Sequence, residues 1–132
     1  MSPTIKSVAL TAVAGVLVLT VTMVAGQQRT PMFRADLTGV TMREGVVLNV
    51  ELAAGLSSKK HFHPGDEFIH IVEGSIAVGI EGKPEVIVSA GQTIHIPANA
   101  VHYGRNLSAT TPAKAISFGV FEKGKLDTTV AP

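Results

Sequence analysis

The sequence predicts one small all-β domain, a sandwich or barrel. Short runs of alternating apolar and polar residues recur along the chain, each closed by a turn signal. The 13 glycines and 7 prolines supply those turns. Past Gly26 no segment keeps a helical period for more than one or two turns.

In chain order, Gln27 to Met32 reads as a flexible lead, and Phe33 to Leu37 as a short edge strand. A loop or second short strand follows over Val40 to Gly45. Val46, Leu48, Val50 and Leu52 alternate with Val47, Asn49, Glu51 and Ala53, the pattern of a half-buried strand. After the loop Gly55 to Lys60, His61 opens a short strand that Pro64-Gly65-Asp66 turns. Glu67 to Glu73 is the next strand, with Glu67, Ile69 and Ile71 on one face and Phe68, His70 and Val72 on the other. Ile76, Val78 and Ile80 continue the alternation, and Glu81 to Pro84 turns the chain into Val86 to Val88. Thr93 to Ile96 ends at Pro97, and Val101 to Asn106 extends again. Ala115 to Phe121 is a strand with Ile116, Phe118 and Val120 on one face. Leu126 to Val130 forms a last edge strand.

With no cysteine, the chain can form neither a disulfide nor a thiolate metal site, and it has no cysteine nucleophile. It has no tryptophan and one tyrosine, Tyr103. The only adjacent basic pair past Gly26 is Lys59-Lys60, so no basic stripe for nucleic acid exists. Lys6 precedes an uncharged run from Ser7 to Ala25, and Val24-Ala25-Gly26 offers small residues before Gln27. That pattern reads as a secretory signal over residues 1–26. The alternative is an uncleaved membrane anchor, since a span needs about 20 apolar residues. Both place the domain outside the cytoplasm, in the periplasm or secreted. On this division residues 27–45 form a lead with short edge strands, and residues 46–132 form the barrel.

The stretch Gly55 to Gly74 carries the chemistry. His61 and His63 share parity on an extended chain, so both imidazoles leave one face. The turn at Pro64 to Asp66 can bring Glu67 back to the same point. Two imidazoles and a carboxylate suit a divalent metal. Two solvent-exposed histidines beside an ordinary turn are the plainer alternative. A second stretch, Gly91 to Asn106, adds His102 five residues after Pro97.

Together the two stretches resemble the two cupin motifs. Gly55, His61, His63, Glu67 and Gly74 match the first, which runs Gly, five residues, His-x-His, three or four residues, Glu, six residues, Gly. Gly91, Pro97, His102 and Asn106 match the second, with Asn99 where the family usually has glycine. Asparagine tolerates left-handed backbone better than other non-glycine residues. The resemblance covers Val46 to Phe121. It implies a single-domain cupin, a double-stranded β-helix barrel of the jelly-roll type. It also implies His61, His63, Glu67 and His102 as ligands of one divalent transition metal (Fe, Mn, Ni, Zn, Cu or Co), with Asn106 structural. Cupins commonly dimerise across one sheet, which makes a homodimer the expectation, with Phe68, His70 and Val72 in the interface.

His70 and His95 read as outward or rim residues, and Phe62, Tyr103 and Arg105 alternate away from the metal face. Met42, Val50, Phe118 and Val120 read as core or lining, and Lys59 and Lys60 as a solvated loop. No second carboxylate is evident near the centre, so either Glu67 would be both ligand and proton acceptor or a metal-bound hydroxide would be the base. The function expected is a metal-dependent enzyme on a small chelating organic substrate, dioxygenase-like, with a catechol or hydroxy-keto group as the chelator. A non-redox isomerase or lyase, or a module that only binds a small ligand or metal, are the alternatives.

Overall fold

The computed structural model describes residues 22–24 and 26–132. Most of the expected signal segment therefore lies outside the described residues. The strands are β1 (Thr22–Val24), β2 (Gln27–Asp36), β3 (Arg43–Leu52), β4 (His61–Phe62), β5 (Gly65–Glu73), β6 (Ser75–Ile80), β7 (Val86–Ser89), β8 (Thr93–Ile96), β9 (His102–Asn106), β10 (Ala113–Glu122) and β11 (Thr129–Val130). They form a six-stranded sheet in the order β1-β2-β3-β10-β5-β8 and a five-stranded sheet in the order β11-β4-β9-β6-β7. Every pairing is antiparallel. The all-β jelly-roll expectation holds.

The core lies between the sheets. On β3 the alternation reads out as expected, with Val46, Leu48, Val50 and Leu52 all buried. Ile71 from β5, Ile76 and Val78 from β6 and Ile96 from β8 meet them. Each such side chain contributes about 1.5–3 kcal/mol on full burial. Phe68, His70 and Val72 face outward, again as expected.

Two expectations are corrected. Gln27 to Met32 is not a flexible lead: it belongs to β2, paired along β3 from Gln27↔Leu52 to Asp36↔Glu44. The stretch lacks apolar alternation, so only its pairing partner reveals it as a strand. On β10 the phase is the reverse of the expected one. Ala113, Ala115, Ser117, Gly119 and Phe121 point in, while Ile116 and Phe118 are exposed. Hydrophobicity favours the other face, but only small side chains fit opposite Glu67, which pairs with Gly119. Among the lining candidates, Val50 is core, Met42 and Phe118 are exposed, and Val120 is half-buried.

Candidate metal centre

The centre forms where the chain crosses from one sheet to the other. His61 on β4 and His102 on β9 are cross-strand partners in the five-stranded sheet. His63 follows β4, and Glu67 comes from β5 in the six-stranded sheet. Backbone turns hold the crossing. Gly55, Gly74 and Gly91 sit at φ between 68° and 86°, and Asn99 is left-handed at φ 60°, as its motif position demands. The Asn99 amide donates to the His63 carbonyl at 2.9 Å, tying the two motifs together. Asn106 is buried and structural: its side-chain amide donates to the carbonyls of Leu52, Ala53 and Thr111.

His61, His63 and His102 converge, with ring centroids 4.4–5.0 Å apart. One nitrogen from each lies within 4.8 Å of the others. Each ring spends its Nδ1 on a backbone carbonyl: Lys59 at 2.7 Å, Asp127 at 2.6 Å and Ala100 at 2.9 Å. A carbonyl only accepts, so each Nδ1 carries a proton, which leaves each ring's Nε2 as the nitrogen that could meet a metal. Phe121 stacks on His63 with centroids 5.5 Å apart.

Glu67 completes the group. Its Oε1 accepts from Arg29 at 2.5 Å and from the Ser117 hydroxyl. Its Oε2 has no donor and lies 2.9 Å from His63 Nε2 and 3.7 Å from His102 Nε2. When His63 is the neutral Nδ1–H tautomer, the 2.9 Å approach sets two lone pairs face to face and satisfies neither atom. His63 Nε2, His102 Nε2 and Glu67 Oε2 are accordingly buried without partners. Buried polar atoms left so cost about 1–3 kcal/mol each. A cation between them relieves all three, and a set of imidazole nitrogens with one carboxylate oxygen suits a divalent transition ion. The residues fit a metal.

The charges are set for that task. Burial, then the neighbouring His102 ring, pushes the His61 imidazole down to about 3. Burial likewise lowers His102. For Glu67 burial pulls upward, but Arg29, then His63 and Ser117, hold its carboxyl well below the usual range. A bound ion would thus meet the lowered imidazoles of His61 and His102 and an ionised Glu67 carboxylate.

Beside the histidines is a narrow cavity with about 20 Å³ for the centre of a water-sized molecule. Aliphatic side chains of β3, β5 and β6 line it, together with Gln27, Arg29, His61, His102 and Tyr103. An outer cleft of about 240 Å³ adjoins His102 and Tyr103.

The remaining histidines stand apart. His70 Nδ1 meets Thr93 Oγ1 at 2.9 Å, and His95 Nε2 meets Asp66 Oδ1 at 2.8 Å, all on the exposed face. Lys59 and Lys60 are exposed. Arg29, Ser117, Gln27 and Asp127 were not legible as site residues. The one local signal was the shared parity of Gln27 and Arg29, two polar residues that β3 turns inward beside Leu52 and Val50.

A closed pair of antiparallel sheets with a buried three-histidine cluster at one crossing defines a small β-barrel built around an internal polar site. A family model described as "Cupin domain" matches residues 48–119, more than half of the chain, and the chain belongs to that family. No curated protein matches it. Among solved structures it is similar to DMSP lyase DddQ from Ruegeria pomeroyi DSS-3, at 22% identity and TM-score 0.59, over 66% of this chain and 43% of that one. The chain thus spans less than half of that protein. A cupin-like protein from Thermotoga maritima matches at 21% identity and TM-score 0.63, over 80% of this chain and 75% of that one. An oxalate oxidase matches at 26% identity and TM-score 0.56, over 67% and 46%.

Proposed function

We propose that His61, His63, Glu67 and His102 hold one divalent transition metal in an exported enzyme that acts on a small chelating organic substrate. The observation that carries this is the set of three buried histidines with ligand nitrogens within 4.8 Å of one another, beside which Nε2 of His63 and His102 and Oε2 of Glu67 are buried without partners. Such an ion supplies Lewis acidity and, if redox-active, electron transfer to dioxygen. The protein's own part is to bind, orient and dry. The three Nδ1 contacts aim the rings, and Arg29 with Ser117 leaves Glu67 one free oxygen.

A carboxylate held as low as Glu67 is a poor proton acceptor near neutral pH, so its part is that of ligand rather than base. The cavity lining contains no other carboxylate. A site without a carboxylate base favours an oxidative reaction, dioxygenase-like, on a substrate that arrives as an anion. The non-redox reading, a lyase or isomerase, has a named counterpart in the DMSP lyase neighbour, and the oxidative reading has one in the oxalate oxidase. Purified protein is expected to carry one ion per chain by elemental analysis, and the loaded protein to consume oxygen with a small chelating acid or phenol. Metal without oxygen uptake on any of these points to the lyase or the binding module; no metal refutes the site.

Export rests on the uncharged run before Gln27. Removal after Gly26 would also remove β1, which pairs with β2 through Thr22↔Arg29 and Val24↔Gln27. For the homodimer, the outer face of the large sheet carries a row in register, Phe33–Val47–Phe118–Phe68–His95. Phe33 is 64% exposed, and Phe68 and Phe118 about 40% each. Phe118→Glu is expected to shift the protein from dimer to monomer in light scattering; a wild type already monomeric at high concentration refutes the pairing.

A further inference from the structure

We propose that Arg34 is a positioning residue for His63: it latches a C-terminal strap, Gly124 to Val130, whose backbone aims that imidazole. The inference rests on the metal reading above and adds a residue outside the four ligands.

The three rings are not aimed alike. His61 is held by the carbonyl of Lys59 and His102 by that of Ala100, each two residues back along the chain. Those contacts last as long as β4 and β9 do. His63 instead meets the Asp127 carbonyl at 2.6 Å and the Thr128 hydroxyl at 3.4 Å, 64 and 65 residues away. Its aim depends on whether the strap is seated.

Little else seats it. The strap leaves β10 near Gly124, which sits at a φ of 82°. It rejoins the barrel at β11, where Thr129 and Val130 pair with Phe62 and His61. The Ala131 amide then donates to the Lys60 carbonyl at 2.9 Å. None of the residues from Gly124 to Val130 is buried. Leu126 is 75% exposed, and with Lys125 it lines two open clefts of about 250 and 370 Å³. A segment with a two-residue ladder and no buried apolar anchor is a unit of low stability, which opens apart from the rest.

Arg34 clamps that segment. From β2 its Nη2 donates to Asp127 Oδ2 at 2.5 Å, and its Nη1 donates to Glu44 on β3. The Glu44 side chain is 9% exposed, so the sheet end of the clamp is fixed. A planar guanidinium held by two carboxylates has a set orientation, which fixes where Asp127 lies. Asp127 therefore joins the two contacts, giving its side chain to Arg34 and its carbonyl to His63.

The test uses full-length protein with and without Co(II). Arg34→Met and Asp127→Asn are each compared with wild type. The second keeps the carbonyl that meets His63 and removes only the side-chain charge. Each is expected to lower Co(II) affinity in chelator competition by about tenfold, the low end of what losing a contact that supports a ligating histidine costs. The double variant should lose no more than the larger single loss, because both act through one contact; additive losses overturn the proposal. Hydrogen exchange reads the strap directly. In the metal-free variants the Ala131 amide should exchange faster than in wild type, while the β6–β9 ladder keeps its protection. In wild type, Co(II) should slow exchange at Ala131, since a strap whose seating tightens metal binding is itself seated by the metal. Arg105→Met removes an exposed ion pair with Glu85 and is the control, expected to change neither readout. Unchanged cobalt affinity in both variants overturns the proposal, whatever the Ala131 amide does. Loosening of the β6–β9 ladder in step with Ala131 also overturns it, since that is the mark of an Arg34 that braces the whole fold. Failure of wild type to bind cobalt would instead refute the metal reading, and the proposal would fall with it.

Discussion

Replacing His102 by alanine is expected to strip the protein of its metal while leaving it folded. His102 contributes one of the three ligand nitrogens gathered within 4.8 Å, and it faces His61 across the strand pair and Glu67 from the other sheet. Loss of a mere supporting hydrogen bond to a ligating histidine costs about 10–100-fold in metal affinity, so loss of the ligand itself should exceed about a hundredfold. The fold should survive. β9 keeps its five-residue ladder to β6 from Ile76↔Asn106 to Ile80↔His102, and no apolar core residue is touched. Elemental analysis of the purified variant, with circular dichroism to show the sheet intact, reads both parts. His95→Ala is the control, because His95 pairs with Asp66 on the exposed face and should leave metal content unchanged. A His102→Ala protein that still carries one ion per chain would sink the assignment.

Gly65→Ala is expected to be the most destabilising glycine-to-alanine change among the described residues, and it acts through backbone alone. A Cβ at position 65 would stand 1.8 Å from the Val120 carbonyl oxygen and 2.8 Å from its carbon. Neither is the far end of a flexible side chain, so β5 and β10 must separate where Gly65 pairs with Phe121. That displacement drags on His63 and Glu67, which flank Gly65, and on Phe121, which stacks on the His63 ring. The loss should exceed about 4 kcal/mol, the exceptional end for point substitutions, against a total of about 5–15 kcal/mol for such a domain. Urea denaturation measures it. Gly39→Ala offers the comparison: it has a φ of 78° but nothing within 4 Å, so its cost is only the left-handed strain of about 1–2 kcal/mol. If Gly65→Ala unfolds within about 1 kcal/mol of wild type, the two strands are spaced more widely than described.

The parts of this protein legible from residue order are those whose signal is local. Period-two alternation on Val46 to Leu52 and on Glu67 to Val72 gave both the strands and their inner faces, because each has large apolar residues to bury on one side. The two motifs brought His61, His63, Glu67 and His102 to attention, and even the departure at Asn99 was readable, since its left-handed backbone is a single-residue property. Where the inner face had to be small or polar, the same rule misled. On β10 it chose Ile116 and Phe118, whereas Ser117 and Gly119 are what fit against Glu67.

Residue order alone therefore established an all-β cupin barrel and named the four side chains proposed as ligands. Tertiary structure decided how those groups are charged and held. That Gln27 and Arg29 face inward follows from β2 pairing with β3, and their shared parity alone does not say which face is inner. That His63 is aimed by the Asp127 carbonyl depends on a chain segment 64 residues away. The cancellation of Glu67 by Arg29, separated by 38 residues, exists only because two strands of one sheet turn both side chains into the same dry interior. Hydrophobic periodicity is written residue by residue; the balance of buried charge is a property of what meets across the barrel.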